Sequence, residues 1–197
     1  MNPGMPGSGD ASTAQPLTEP AFRAAVALAR DGSGPALERL YRWLAPDVAR
    51  FAATQSIDDP EELTNRVFTI AFSQIRRFNG THESFRAWIF AIARSELIAR
   101  SPAGIGGGPR VADTDVRSGP ENGEVGALDL LSLQRVTRLL SQLGEDQRDV
   151  VLLRMFGGLS LNQVSIIVDK PAETVKALQR QGLRRLQEAV LAEVVSQ

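Results

Sequence analysis

The stretch from Ser101 to Gly126, SPAGIGGGPRVADTDVRSGPENGEVG, limits what this chain can build more than any other. It holds seven Gly and three Pro, with Ile105 and a few Val as its only apolar anchors. So little apolar surface cannot offset the entropy of ordering the backbone. The segment is also longer than an internal loop of a compact domain. Residues 101–126 therefore read as a flexible linker that divides the chain into two units, residues 20–100 and residues 127–197. Residues 1–19, MNPGMPGSGDASTAQPLTE, share its Gly/Pro/Ser/Thr-rich character and are expected to form a disordered tail.

Both units read as helical, because no run alternates with period two and β-branched residues recur at helical spacing. The fold class expected is all-α: two small helical domains joined by the linker. In the first unit, PAFRAAVALARD is a short Ala-rich helix, and GPALERLYRWLAPDVARFAATQ repeats apolar residues at Leu37, Leu40, Tyr41, Leu44, Val48 and Phe51. The next helix, DDPEELTNRVFTIAFSQIRRF, opens on a strong signal. Asp59 is placed to cap it, Pro60 suits its first position, and Glu61 and Glu62 lie near its positive end. Leu63, Val67, Phe68, Ile70, Phe72 and Ile75 nearly encircle its axis, the pattern of a buried central helix. They leave a polar strip of Glu62, Asn65, Arg66, Thr69 and Ser73. After the turn NGTHE, a last helix turns Phe85, Trp88, Ile89, Ile92 and Leu97 inward; its two aromatics read as core rather than as base-stacking groups.

The second unit reads as four helices: ALDLLSLQRVTRLLSQL, EDQRDVVLLRMF, SLNQVSIIV and PAETVKALQRQGLRRLQEAVLAEVV. Gly157 and Gly158 end the second of these, and Ser160 is placed to cap the third. The last two are separated only by Val168-Asp169-Lys170-Pro171, the spacing of a helix-turn-helix. Ser165 supplies a small residue where the helices touch, and Asp169 tolerates a left-handed turn. At 100° per residue, Val175, Leu178, Gly182 and Leu186 form an apolar back on the last helix. Glu173, Lys176, Ala177, Arg180 and Arg184 form the opposite front, of a width that fits a DNA major groove.

Composition narrows the function. With no Cys and a single His, His82, disulfides, thiolate metal sites and His-dependent triads have no basis. No cofactor, metal site or catalytic constellation is expected, and so no enzyme. No segment reaches the roughly 18 apolar residues of a membrane span, and the N-terminus lacks the basic and apolar regions of a signal peptide. A soluble cytoplasmic protein without membrane insertion is expected. The net charge of −1 argues against non-specific coating of nucleic acid but allows a local basic patch.

The stretch LSQLGEDQRDVVLLRMFGGLSLNQVSIIVDKPAETVKALQRQGLRRLQ resembles region 4 of the extracytoplasmic-function (group IV) sigma factors of bacterial RNA polymerase. The agreement is closest at EDQRDVVLLRMFGGLS and TVK. LERLYRWLAPDVARFAATQ, DDPEELTNRVFTIAFSQIRRF and ESFRAWIFAIARSELIAR are similar, in order, to that family's regions 2.1, 2.2 and 2.3–2.4. The resemblance implies a non-enzymatic initiation factor that docks on core RNA polymerase through its clamp helices and flap, binds promoter DNA and helps to open it. It implies upstream (−35) contacts from Lys170, Thr174, Lys176, Ala177, Arg180 and Arg184. Downstream (−10) contacts would come from the loop Phe78 to Glu83 and the helix after it: Asn79, Thr81 and His82 on a flipped base, and Arg76, Arg77, Arg86, Arg94 and Ser95 beside it. Core polymerase would meet Asp58, Glu61, Glu62, Asn65, Arg66, Thr69 and Ser73. An anti-sigma factor is a further implied partner, and the free protein is expected to be a monomer.

The sequence departs from the family pattern at several places. Arg66 replaces an acidic residue, Ser95 an Asn, Gly144 a Pro, and Asp169 the turn Gly; Lys170 takes an apolar position. The D-x-x-RR that usually follows region 2.3 is absent. Two alternatives therefore stay open: a sigma-like regulator that binds polymerase or an anti-sigma partner without opening DNA, and a dimeric helix-turn-helix repressor.

Overall fold

The computed structural model describes residues 17–55, 57, 59–100 and 134–195. The linker and most of the expected tail lie outside the described residues. All regular structure among those described is helical. The first group comprises α1 (Glu19–Arg30), α2 (Gly34–Ala53), α3 (Pro60–Ser73), a 3-10 turn (Ile75–Arg77) and α4 (His82–Arg100). The second comprises α5 (residues 134–141), α6 (Glu145–Met155), α7 (Leu161–Val168) and α8 (Ala172–Val195).

The last residues of the expected tail belong to the fold. Leu17 is buried, and Glu19 opens α1 with Pro20 in its first turn. Burial of Leu17 removes apolar surface from water, and Pro20 presets the first-turn dihedral of α1.

Helix α3 starts as its sequence dictates: Asp59 Oδ1 accepts the Glu62 backbone N–H at 2.8 Å, with Glu61 and Glu62 in the first turn. It packs against both α2 and α4. Leu40, Leu44, Val48, Phe51, Leu63, Val67, Phe85, Ile89 and Phe90 lose all solvent contact in this core. Each such side chain contributes roughly 1.5–3 kcal/mol by leaving water. Helix α2 continues through Pro46, although a mid-helix Pro forfeits one backbone hydrogen bond. Leu40 and Leu44 before it and Val48 and Phe51 after it face the same core, and their burial offsets that loss.

In the second group, α8 packs along α6 and α7 over Val150, Val151, Leu152, Leu153, Leu159, Val164 and Val175. Gly182 permits the close approach of α8 to α6, since a Cβ there would lie 2.9 Å from Val151 Cγ2. Ser160 and Gln163 form a reciprocal capping box at the start of α7, which satisfies two otherwise orphaned N–H groups. The glycine pair after α6 has two separate causes. A Cβ at Gly157 would meet the Leu153 carbonyl at 2.4 Å, and Gly158 has a φ of +59°.

Candidate nucleic-acid interface

The angle between α7 and α8 is set by the turn at Asp169. This residue is left-handed, with φ 52° and ψ 51°. The Asp169 N–H and the Lys170 N–H, the latter at 3.1 Å, both point to the Ser165 carbonyl, and the Ser165 hydroxyl donates to the Lys170 carbonyl at 2.6 Å. This is a Schellman-type stop with Asp in the position glycine usually takes. Downstream, Val175 and Gly182 are buried and Leu178 and Leu186 half-buried, while Thr174, Lys176, Arg180 and Arg184 are exposed and Ala177 is half-buried. The basic front of α8 therefore faces solvent. Lys170 does not belong to that free front: its Nζ sits 3.1 Å from Asp146 Oδ2 at the start of α6.

The expected downstream loop is shorter than its sequence suggests. Helix α4 begins at His82, two residues earlier than the turn NGTHE implies. Thr81 Oγ1 accepts the Ser84 N–H at 3.3 Å, an N-cap contact. His82 is half-buried, and its ring stacks on Trp43 at 4.5 Å with Phe22 edge-on at 5.9 Å. Asn79, Gly80 and Thr81 form the exposed tip of the loop. Phe78 at its base stacks on Trp88 and meets Phe22 and Phe85 edge-on. Phe85 is wholly buried and Trp88 partly so, in keeping with their core reading. Arg76 and Arg77 are exposed.

Arg86 and Arg94 reach across to the second helical group. Arg86 pairs with Asp47 and donates to the carbonyls of Phe156, at 3.0 Å, and Gly157. These carbonyls sit at the negative C-terminal end of α6, where a cation is favoured. Arg94 meets Asp149 at 2.8 Å and the Ile167 carbonyl at 3.3 Å. Gln163 Nε2 donates to the Glu83 carbonyl at 3.2 Å, closing the same seam. Ser95, one residue on, stays exposed.

The polar strip of α3 lies at the surface, with Glu61, Glu62, Asn65, Arg66, Thr69 and Ser73 all exposed. Arg66 pairs with Glu96, Glu62 lies 2.8 Å from Arg100, and Asn65 Oδ1 accepts the Tyr41 hydroxyl at 2.9 Å. Thr69 and Ser73 bond back to carbonyls of their own helix. Asp58 lies outside the described residues.

Among the described residues no cluster of His, Asp and Glu could hold a metal ion, and no helix is long and apolar enough to cross a membrane. Residues 38–100 match the family model for Sigma-70 region 2, and residues 139–188 match that for Sigma-70, region 4. The chain is 31% identical over 185 residues to the ECF RNA polymerase sigma factor SigC of Mycobacterium tuberculosis, covering 92% of this chain and 95% of that one. The chain belongs to the ECF RNA polymerase sigma factors. It is thus a sigma factor acting in transcription initiation. Also similar are BldN of Streptomyces coelicolor, 27% identical over 82% of this chain and 62% of its own, and RpoE of Cereibacter sphaeroides, 26% identical over 78% and 85%. The sigma factor shares its fold with CnrH, solved in complex with the cytosolic domain of CnrY: TM-score 0.65, 19% identity, 87% of this chain and 97% of that chain.

The matched regions hold all of the sequence-predicted site residues among those described. Glu19, Arg30 and Trp43 around the loop, and Asp47 and Asp149 opposite the arginines, are the residues that the sequence did not single out.

Proposed function

We propose that this sigma factor brings core polymerase to promoters through two surfaces and assists in opening the duplex. The observation that carries this reading is the division on α8: a back of buried Val175 and Gly182 and half-buried Leu178 and Leu186 holds the helix to its neighbours, while Lys176, Arg180 and Arg184 share an exposed front and Thr174 is exposed in the first turn. Such a front suits the major groove of a −35 element, where an Arg serves guanine or phosphate. The tip Asn79-Gly80-Thr81 offers amide and hydroxyl groups to a flipped −10 base, and Arg76 and Arg77 flank it with positive charge. The exposed strip of α3 is the docking face for the polymerase clamp, and region 4 meets the flap. The protein works in the cytoplasm as a monomer until it joins polymerase. Because CnrH was solved with a protein bound to it, a protein that holds this sigma factor inactive is a further proposed partner.

Asp47 and the end of α6 engage three of the five N–H donors of Arg86, and Asp149 and the end of α7 engage two of those of Arg94, so these groups compete with DNA phosphate for the two arginines. Asp149→Asn removes an anion from this seam without altering any DNA-facing side chain. It is expected to raise the affinity of the free sigma factor for a −10 non-template oligonucleotide about tenfold, the scale of one charge-assisted contact. Fluorescence anisotropy measures this, and an unchanged or lower affinity contradicts the competition. Transcription with core polymerase tests the function as a whole.

A further inference from the structure

Helix α1 lies outside the residues matched by the region 2 family model, which begins at residue 38, yet it holds both ends of the loop 78–81. At the far end, Glu19 Oε2 accepts the His82 backbone N–H at 3.1 Å, at the first residue of α4. The first N–H groups of a helix have no partner within it, and a carboxylate there is favoured by the helix dipole. Here the capping carboxylate comes from a residue 63 positions away. Arg23, one turn along α1, steadies Glu19 from 2.9 Å. The His82 N–H first, and Arg23 with it, hold the Glu19 carboxyl below the usual carboxylate range.

At the near end, the Arg30 guanidinium donates to the Phe78 carbonyl, and Arg76 Nε returns a bond to the Arg30 carbonyl at 3.2 Å. Between the two ends, Phe22 of α1 lies against the rings of Phe78, His82 and Phe85. Gly80 completes the arrangement: a Cβ there would sit 2.3 Å from Ser84 Oγ and 2.9 Å from the Phe78 ring. The loop is thus clamped at each foot, and Asn79, Gly80 and Thr81 project from it.

We infer that α1 is the clasp that preorganises this loop for the extruded −10 base, with Glu19 and Arg30 as positioning residues that touch no DNA. The inference rests on the reading of the loop given above. Extruding a base from the stack is costly, and a receiving loop already in place avoids adding its own ordering entropy to that cost.

The test uses holoenzyme assembled from core polymerase and the full chain, with a −10 non-template oligonucleotide carrying 2-aminopurine at the captured position. Glu19→Ala is expected to weaken binding of this strand and the fluorescence rise about threefold to thirtyfold, the scale of one capping contact. Affinity for core polymerase and for a −35 duplex should stay unchanged. Glu19→Gln retains an acceptor oxygen and should recover most of the signal, and Arg30→Lys should fall between. Glu19 sits on the open first turn of α1, where Ala is a good helix former, so the variant keeps its fold. Asn79→Ala separates the two levels. If Asn79→Ala abolishes the signal while Glu19→Ala and Arg30→Lys leave it intact, the clasp is wrong and the loop reading stands. If Asn79→Ala is also silent, the loop does not receive the base. Equal losses in core binding and strand capture for Glu19→Ala would reduce its role to general stability and overturn the inference.

Discussion

Arg180→Ala is expected to weaken binding of a −35 duplex strongly. Arg180 stands on the exposed front of α8, one turn beyond Lys176 and one turn before Arg184, and no hydrogen bond or ion pair within the described residues occupies it. Removing it therefore leaves no protein group unpaired and should not lower the melting temperature. If Arg180 reads guanine through two parallel hydrogen bonds, the loss is about 1–3 kcal/mol and is confined to sequences with guanine at that position. If it holds phosphate, binding weakens by a similar factor on every sequence, and the slope of log affinity against log salt falls by about one. Titration of wild-type and variant holoenzyme against matched and mismatched duplexes at several salt concentrations distinguishes the two. A variant that binds all duplexes as tightly as wild type, with the same salt slope, would remove Arg180 from the interface.

Phe85→Ala should produce the largest loss of stability. The Phe85 ring is fully buried and touches four other rings: Phe22 at 5.5 Å, Trp43 at 6.2 Å, Phe78 at 5.1 Å and Trp88 at 5.7 Å. Truncating a buried Phe to Ala costs about 3–5 kcal/mol, because transfer and cavity terms add. This cluster is hard to collapse, since aromatic rings with several fixed partners cannot slide into the space. Urea denaturation followed by Trp fluorescence suits the measurement, as Trp43 and Trp88 both line the cavity. The same cluster supports the loop 78–81, so promoter opening should fall further than core binding does. A loss below about 1 kcal/mol, within the range of ordinary surface changes, would mean that Phe85 is not the centre of this core.

The parts of the site that depend on short sequence separations were legible, and the reason is physical. Asp59 with Pro60, Ser160 as a cap, and Asp169 four residues after Ser165 each act on backbone within one turn. Residue type and spacing therefore determine the outcome. The α8 front and back were equally plain, because a wheel needs only the helical repeat. The clasp on the loop was not legible. Glu19 and His82 are far apart in the chain, and Glu19 sits next to a tail-like composition, so its role appears only when α1 packs on α4. The start of α4 moved for the same reason, since Thr81 and Glu19 together satisfy N–H groups that an isolated NGTHE turn would leave to water. Arg86 and Arg94 were expected beside the downstream element, and their actual partners were hidden. Three of their partners are backbone carbonyls at Phe156, Gly157 and Ile167. Every residue carries a carbonyl, so no side-chain pattern marks which one lies at a helix end facing an arginine.

Run-off transcription with purified core polymerase, followed by sequencing of the start sites, tests the central claim most directly. On genomic fragments, the sigma factor with core enzyme should give transcripts from defined starts that share two upstream elements. Permanganate should find reactive thymines over the downstream element, and output should fall steeply as salt rises. Stable binding to core enzyme without a transcript or an open bubble on any fragment would contradict the account.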